Sequence, residues 1–302
     1  NRPYRVLGGL QDNQCWIQPT QTWDGGPNYG SSINLGGGDG FYVASDPNDP
    51  FTVYSESQGG AAQRMDLRTG RSRSIRPRAG TEKIRFNWSS PFILSPHNSR
   101  TLYFGGNKLF KSVDRGDTWR TISPDLTTND PEKQKVGQAS VTPEDTGAER
   151  HCTIVTISES ALKPGLLYVG TDDGKVQLSK DDGATWTDLT GKFPGLPAFT
   201  WCSRVVASKH AENRAYATFD GHRNGDLAQY LYVTEDGGAT WTRLTDGLSG
   251  DDSLYVIREG EKNPDLLYLG SETSLRISLD RGKNWSRIAG GFPTVAVHDV
   301  VV

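Results

Sequence analysis

Long apolar runs are missing from this chain. None approaches the roughly 20 residues needed to cross a bilayer, so no membrane span is expected in it. Aliphatic residues are scarce as well: hydrophobic residues make up 34% of the 302 positions. Helices packed round a Leu-rich core are therefore not expected. The net charge is −3, so no broad positive field exists to attract nucleic acid or acidic lipid. There is no Walker-type loop and no Cys-x-x-Cys pair. The five histidines (His97, His151, His210, His222 and His298) lack any ligand spacing such as His-x-x-x-His, so neither a cofactor nor a metal is expected. Cysteines number three, Cys15, Cys152 and Cys202, an odd count that gives no disulfide framework. Cys152 and Cys202 fall at one register of two successive repeats. That register allows a bridge, but two small buried apolar side chains are the simpler expectation. Neither an initiator Met nor a signal peptide opens the chain, and it closes on a strand-like run, 297–302. A processed or truncated piece is expected, with any targeting segment outside it.

Turn formers and aromatics are abundant, with 35 glycines and 8 tryptophans. They suit many short strands joined by tight turns. A repeat organises them. Segments 112–119, 179–186, 234–241 and 278–285 share the pattern Ser/Thr-x-Asp-x-Gly-x-Thr/Asn-Trp. It is carried by Asp114, Gly116 and Trp119; Asp181, Gly183 and Trp186; Asp236, Gly238 and Trp241; and Asp280, Gly282 and Trp285. The tryptophans are 67, 55 and 44 residues apart, so a constant module carries loops of variable length. Asp-x-Gly is hairpin chemistry: Asp caps backbone N–H groups, and Gly accepts a positive φ. The Trp is expected to pack between neighbouring sheets and to supply most of the local apolar burial. These residues are expected to be structural rather than catalytic.

Upstream of each turn runs a strand, a Pro/Asn/Gly turn and a second strand, as in 154–157 followed by 166–170. Four short strands in about 40 to 45 residues is propeller-blade arithmetic. A weaker copy without the Trp covers 41–70. Only later strands of a blade stand at the N-terminus, and only a first strand at the C-terminus. The expected fold class is all-β: a β-propeller of four-stranded antiparallel blades, about six of them visible, the first and last incomplete. Residues 1–302 form a single propeller domain or part of a larger one. The two incomplete ends either complete each other or flank absent blades. A long inter-blade loop is expected at 127–149, longer than unstructured loops usually run.

The four turns resemble the Asp boxes of the bacterial neuraminidase repeat superfamily. That group holds sialidases, xyloglucan-cleaving glycoside hydrolases, photosystem assembly factors and sortilin-type ectodomains. Gly8-Gly9-Leu10-Gln11-Asp12-Asn13, Gly37-Gly38-Asp39-Gly40-Phe41, Arg85-Phe86-Asn87-Trp88, 122–127 and 267–272 are similar to large secreted bacterial sortilin-like or glycosyl-hydrolase-like repeat proteins. The resemblance covers nearly the whole chain. It implies the propeller fold and an extracellular, periplasmic or cell-surface location. It implies little about activity, because the superfamily mixes enzymes and binders.

Blade geometry sorts the loops. Residues before each first strand share one face with the turns between second and third strands; the Asp-x-Gly turns lie opposite. The first set is Asp39, Arg85, Asn87, Trp88, Arg150, His151, Trp201, Asp252 and His298. The second is Gln11, Asp12, Asn13, Glu56, Asn107, Asp172, Asp173, Asp220, His222 and Glu272. Trp88 and Trp201 could stack on sugar rings, and Arg85 or Arg150 could fork onto a peptide carboxylate. An ordinary solvated rim carries the same residue types. A glycoside hydrolase needs two carboxylates roughly 5 to 9.5 Å apart. Asp12, Asp39, Glu56, Asp252 and Glu272 are candidates, and no spacing selects a pair. A sialidase also needs an Arg triad and a Tyr backed by Glu. Arg85, Arg150 and Arg204 stand near the rim, but no Tyr–Glu pair stands out. The leading expectation is a binding propeller for a protein, peptide or polysaccharide, with further blades or domains of the same protein as further partners. A xyloglucanase-like hydrolase is the alternative, ahead of a sialidase, and an assembly scaffold is the third reading.

Overall fold

The computed structural model describes residues 4–23, 25–135, 148, 150–248, 250 and 252–302. The centre of the expected 127–149 loop, 136–147 and 149, lies outside them. The described residues form six antiparallel sheets and no α-helix. No helix among them is long and apolar enough to cross a membrane.

Two compact units divide the chain. The first, Asn1–Pro124 with Asn129–Thr153, holds three sheets. Sheet I has three strands, Arg5–Gly9, Cys15–Pro19 and Ile33–Gly36. Sheet II has Gly40–Asp46, Asp49–Ser57, Ala61–Asp66 and Arg71–Ser74; sheet III has Phe92–Leu94, Leu102–Gly105, Leu109–Ser112 and Arg120–Thr121. The second unit, Asp125–Thr128 with Ile154–Val302, holds the other three. Sheet IV comprises Ile154–Glu159, Leu167–Thr171, Val176–Ser179 and Thr187–Asp188. Sheet V comprises Trp201–Ala207, Ala215–Asp220, Tyr230–Thr234 and Thr242–Arg243. Sheet VI comprises Leu254–Glu259, Leu267–Ser271, Leu275–Ser278 and Ser286–Arg287.

The second strands of sheets IV and V, Leu167–Thr171 and Ala215–Asp220, are buried at every position. Their sequences therefore run apolar or small throughout, instead of alternating. The core lies between successive sheets. Tyr54, Phe86, Phe92, Leu102, Phe104 and Phe110 join sheets II and III. Tyr168, Leu178, Val205, Ala217, Phe219 and Tyr232 join IV and V, and Tyr216, Leu231, Leu254, Ile257 and Leu269 join V and VI. Glycine permits the closest approaches. A β-carbon on Gly170 would sit 2.4 Å from the Cys202 sulfur. All three cysteines are buried free thiols, and burial raises the pKa of Cys202.

The repeated turns share one hydrogen-bond plan. In sheet V the Thr234 hydroxyl donates to Asp236 Oδ1 (2.8 Å) and accepts from the Gly238 amide (2.9 Å). Asp236 also accepts from the Thr240 amide (2.9 Å) and hydroxyl (2.6 Å). Gly238 holds φ at 84°, a region few residues other than glycine adopt. In sheet VI Asn284 takes the place of the Thr and donates its side-chain amide to Asp280 (2.6 Å). The tryptophans do not contribute equally, and they do not supply most of the local apolar burial as expected. Trp241 is 3% exposed against Phe193, whereas Trp119, Trp186 and Trp285 are only half-buried. Tyrosines and phenylalanines of the inner strands supply the largest fully buried side chains.

Two features shape the candidate site. The first strand of sheets II, IV, V and VI carries a register break near its start. In sheet VI the break leaves Tyr255 as the extra residue between Leu254 and Val256; such bulges re-aim a side chain. The C-terminal segment is not the strand expected from its sequence. Its Val297 amide bonds the Ser271 carbonyl (2.9 Å), and its carbonyls at His298 and Val300 accept from Arg204 (3.1 Å) and Arg258 (3.0 Å). Arg204, counted among the rim arginines in the sequence, is thus engaged with backbone.

Candidate functional site

In the first unit several candidates are held by internal bonds. Asp39 is buried and accepts from the Asp12 amide (2.8 Å), which fixes the turn carrying Asp12 at φ 61°. Asn13 donates its side-chain amide to the Gln11 carbonyl within the same turn. Asn107 is buried and accepts from the Arg85 amide (3.0 Å). Asn87 is buried, donating to the Thr153 hydroxyl (2.9 Å) and accepting from the Ser89 amide (3.1 Å). Glu56 is 1% exposed; its Oε1 accepts from the Ser90 amide (3.1 Å) and the Gly60 amide (3.2 Å), and its Oε2 is buried without a partner. Burial holds its carboxyl well above the usual glutamate range despite those bonds. His151 is half-buried, with Nδ1 3.7 Å from the Cys152 sulfur. Arg85, Trp88 and Arg150 come together on one cavity of about 380 Å³.

The second unit sorts its candidates in the same way. Asp252 is buried, accepting from the Ser271 hydroxyl (2.6 Å) and the Thr273 amide (3.1 Å), with Arg276 3.4 Å away. Asp172 is buried, and Asp173 is buried beneath the Thr128 amide (2.7 Å). Others converge. Trp201 lies at the start of sheet V, with the Arg223 guanidinium 4.5 Å above its ring. Asp220 ends the second strand of that sheet, and His222 Nδ1 donates to it at 2.6 Å. The C-terminal segment stacks the His298 ring on Tyr255, centroids 4.3 Å apart and planes at 27°. The His222 ring stands edge-on to the same tyrosine, 6.4 Å away. The Tyr255 hydroxyl donates to Glu272 Oε2. Burial, then the bond to Glu272, raises the pKa of Tyr255, so the phenol keeps its proton.

Tyr255 and Arg223 were absent from the sequence candidates; Tyr255 and Glu272 form a hydrogen-bonded Tyr–Glu pair that did not stand out in the sequence. Tyr255 sits inside an apolar strand, where it reads as core. Only the register break exposes its role, and that break depends on pairing with sheet-mates. The assembled group offers aromatic rings at the half-buried Trp201 and the exposed His298, the latter backed by the buried Tyr255, with one exposed carboxylate at Glu272 and one buried carboxylate beside an imidazole. Such a set suits a polyhydroxylated ring: C–H faces on the aromatics, hydroxyls on the carboxylates.

Comparison with known proteins adds the following. No family model matches the chain. It is 28% identical to a xyloglucanase of Paenibacillus sp. over 91% of its own length and 28% of that protein's. It is 25% identical to the oligoxyloglucan-reducing end-specific xyloglucanase of Emericella nidulans, over 68% of this chain and 27% of that one. Among solved structures, the GH74 xyloglucanase from Xanthomonas campestris superposes with a TM-score of 0.58 at 18% identity, covering 82% of this chain and 38% of that one. The fold class is the β-propeller. The chain spans little more than a quarter of the curated relatives it matches.

Proposed function

We propose that this chain is part of a glycoside hydrolase that works outside the cytoplasm on a xyloglucan-type polysaccharide, and that its second unit holds the sugar chain. The repeated turns are then Asp boxes in the structural sense, framing the site without touching substrate. One observation carries the reading: Trp201 and the His298 ring stacked on Tyr255 lie with two carboxylates, Asp220 bonded by His222 and Glu272 bonded by Tyr255. The likeness to two xyloglucanases supports it. It ranks this reading above the peptide-binding and scaffold alternatives.

Cleaving a glycosidic bond takes one carboxyl group to protonate the leaving oxygen and a second to act on the opposite face of the sugar. Glu272 and Asp220 are assigned these positions. Tyr255 orients Glu272 through its hydroxyl, and His222 holds Asp220. The purified chain should bind xyloglucan oligosaccharides and release reducing ends from xyloglucan. Trp201→Ala should weaken binding at least tenfold, about 1.4 kcal/mol. Glu272→Gln should abolish release while sparing binding. Binding without cleavage would return the chain to the binding-propeller reading. If a folded chain neither binds nor cleaves xyloglucan, the proposal is wrong.

A further inference from the structure

Sheet II departs from the repeat at its outer edge. In sheets III to VI an Asp-x-Gly turn stands between the third and fourth strands, and the fourth strand is two residues long. Sheet II joins the two strands by a shorter turn, in which the Gly70 amide donates to the Asp66 carbonyl (2.8 Å) and Gly70 holds φ at 69°. Its ladder runs on from that turn, so Arg71–Ser74 pairs at every position, from Asp66 opposite Arg71 to Gln63 opposite Ser74. This strand ends the sheet, and all four of its residues are exposed. Just beyond it the Ile75 amide donates to the Ala62 carbonyl (2.9 Å). Antiparallel alternation then turns the N–H and C=O groups of Ser72 and Ser74 away from the sheet, about 7 Å apart. Such an edge is a template for one more strand. Its charge is one-sided. Residues 71–78 hold Arg71, Arg73, Arg76 and Arg78 and no acid. Arg73 reaches Asp117 at 3.0 Å, but Asp117 is shared with Arg64 at 3.1 Å. Among the described residues Arg71 and Arg78 form no ion pair.

We propose that Arg71–Ser74 takes up an extended acidic peptide, a segment of another protein, as a fifth strand of sheet II. The peptide main chain bonds the outward groups of Ser72 and Ser74, and its carboxylates face Arg71, Arg73 and Arg78. Strand addition of this kind draws affinity from the main chain and selectivity from side chains. Opposite charges directly across a strand pair attract, and like charges repel. The same arginines therefore turn away basic strands, and they turn away copies of this edge. The repeat spacing of the outward groups matches a peptide strand, which is why a peptide is favoured over an acidic polysaccharide. This partner surface lies in the first unit and is independent of the glycan reading of the second.

Fluorescence anisotropy of a labelled peptide that alternates Glu and Thr, titrated with the whole chain, tests this. The peptide should bind, with affinity that falls as salt rises. Replacing each Glu of the peptide by Gln should cost roughly tenfold or more, and so should Arg71→Glu/Arg78→Glu in the protein. Ser72→Pro should cost as much, because proline removes an outward N–H and blocks the incoming strand while the inward ladder bonds stay. A peptide N-methylated at alternate residues repeats that comparison with the protein unaltered, so a proline variant that misfolds leaves the test intact. Methylation on one alternate set should abolish binding and on the other should spare it. No binding of the acidic peptide overturns the proposal, as does binding that ignores N-methylation on either set. An oligogalacturonate, which carries the charge without a peptide backbone, should bind roughly tenfold more weakly or worse; if it binds as tightly and Ser72→Pro does not weaken it, the edge is a general polyanion surface and the proposal is wrong. Xyloglucan binding and release should be the same in Arg71→Glu/Arg78→Glu as in the parent, so failure of either reading is seen separately.

Discussion

At the scale of the residue, two carboxylates show how surroundings set chemistry. Asp236 is exposed, and its pKa falls to about 2 because the Thr240 hydroxyl, the Thr240 amide and then the Thr234 hydroxyl donate to it. Every one of those donors lies within four residues, so the role was legible in the sequence. Glu56 moves the opposite way, and burial drives it. Its donors include Ser90, 34 positions away, and nothing local announces that. Because its folded pKa is raised, the folded state keeps a proton that the unfolded chain releases above the ordinary glutamate range. Stability should therefore drop as pH climbs from there toward the raised value. Glu56→Gln removes that dependence. Its melting temperature relative to the parent should rise between about pH 5 and about pH 8, by about 2 to 4 °C for each kcal/mol relieved. An equal offset at both pH values would contradict the assignment.

At the scale of the element, the four Asp-x-Gly turns are nearly interchangeable as backbone and unequal as packing. Trp241 is buried, its ring centroid 4.7 Å from that of Phe193. Trp186 is half-buried, and its Nε1–H donates within its own turn to the Gly183 carbonyl (3.2 Å). Trp241→Ala should cost about 3 to 5 kcal/mol, the range for a large aromatic removed from a core. Trp186→Ala should cost about 1 to 2 kcal/mol, since much of its surface already meets water. Urea titrations of the two variants check the order; equal losses would mean that the turn itself, rather than burial, sets the cost. The pattern around each Trp is the same, so its sequence could not rank them. What the adjoining sheet offers the ring decides.

At the scale of the whole molecule, stability is distributed over successive sheet-to-sheet cores. Tyr54, Phe92 and Phe104 serve the first unit; Phe219, Tyr232 and Leu269 serve the second. Repeat architectures respond locally, because each sheet buries its faces on its neighbours. Hydrogen exchange on Trp241→Ala should accelerate first in sheets IV to VI, with sheets I to III following only at the global limit. Uniform acceleration across all six would argue for one cooperative block. The aromatic–carboxylate group belongs to the second unit, and the cavity lined by Arg85, Trp88 and Arg150 to the first.

The sequence by itself determined the strand-and-turn alphabet: the Asp-x-Gly turns, the four-strand module and the loops that carry polar residues. Those are local, set by φ/ψ preference and by hydrogen bonds spanning four residues or fewer. Tertiary structure alone decided which polar residues work. It took Asp39, Asn87, Glu56 and Asp252 into the interior and turned Tyr255 out of its strand toward Glu272. It also lined one cavity with four cations that lie up to 74 positions apart in the chain. Burial and charge are sums over neighbours, and a linear sequence does not say who the neighbours are.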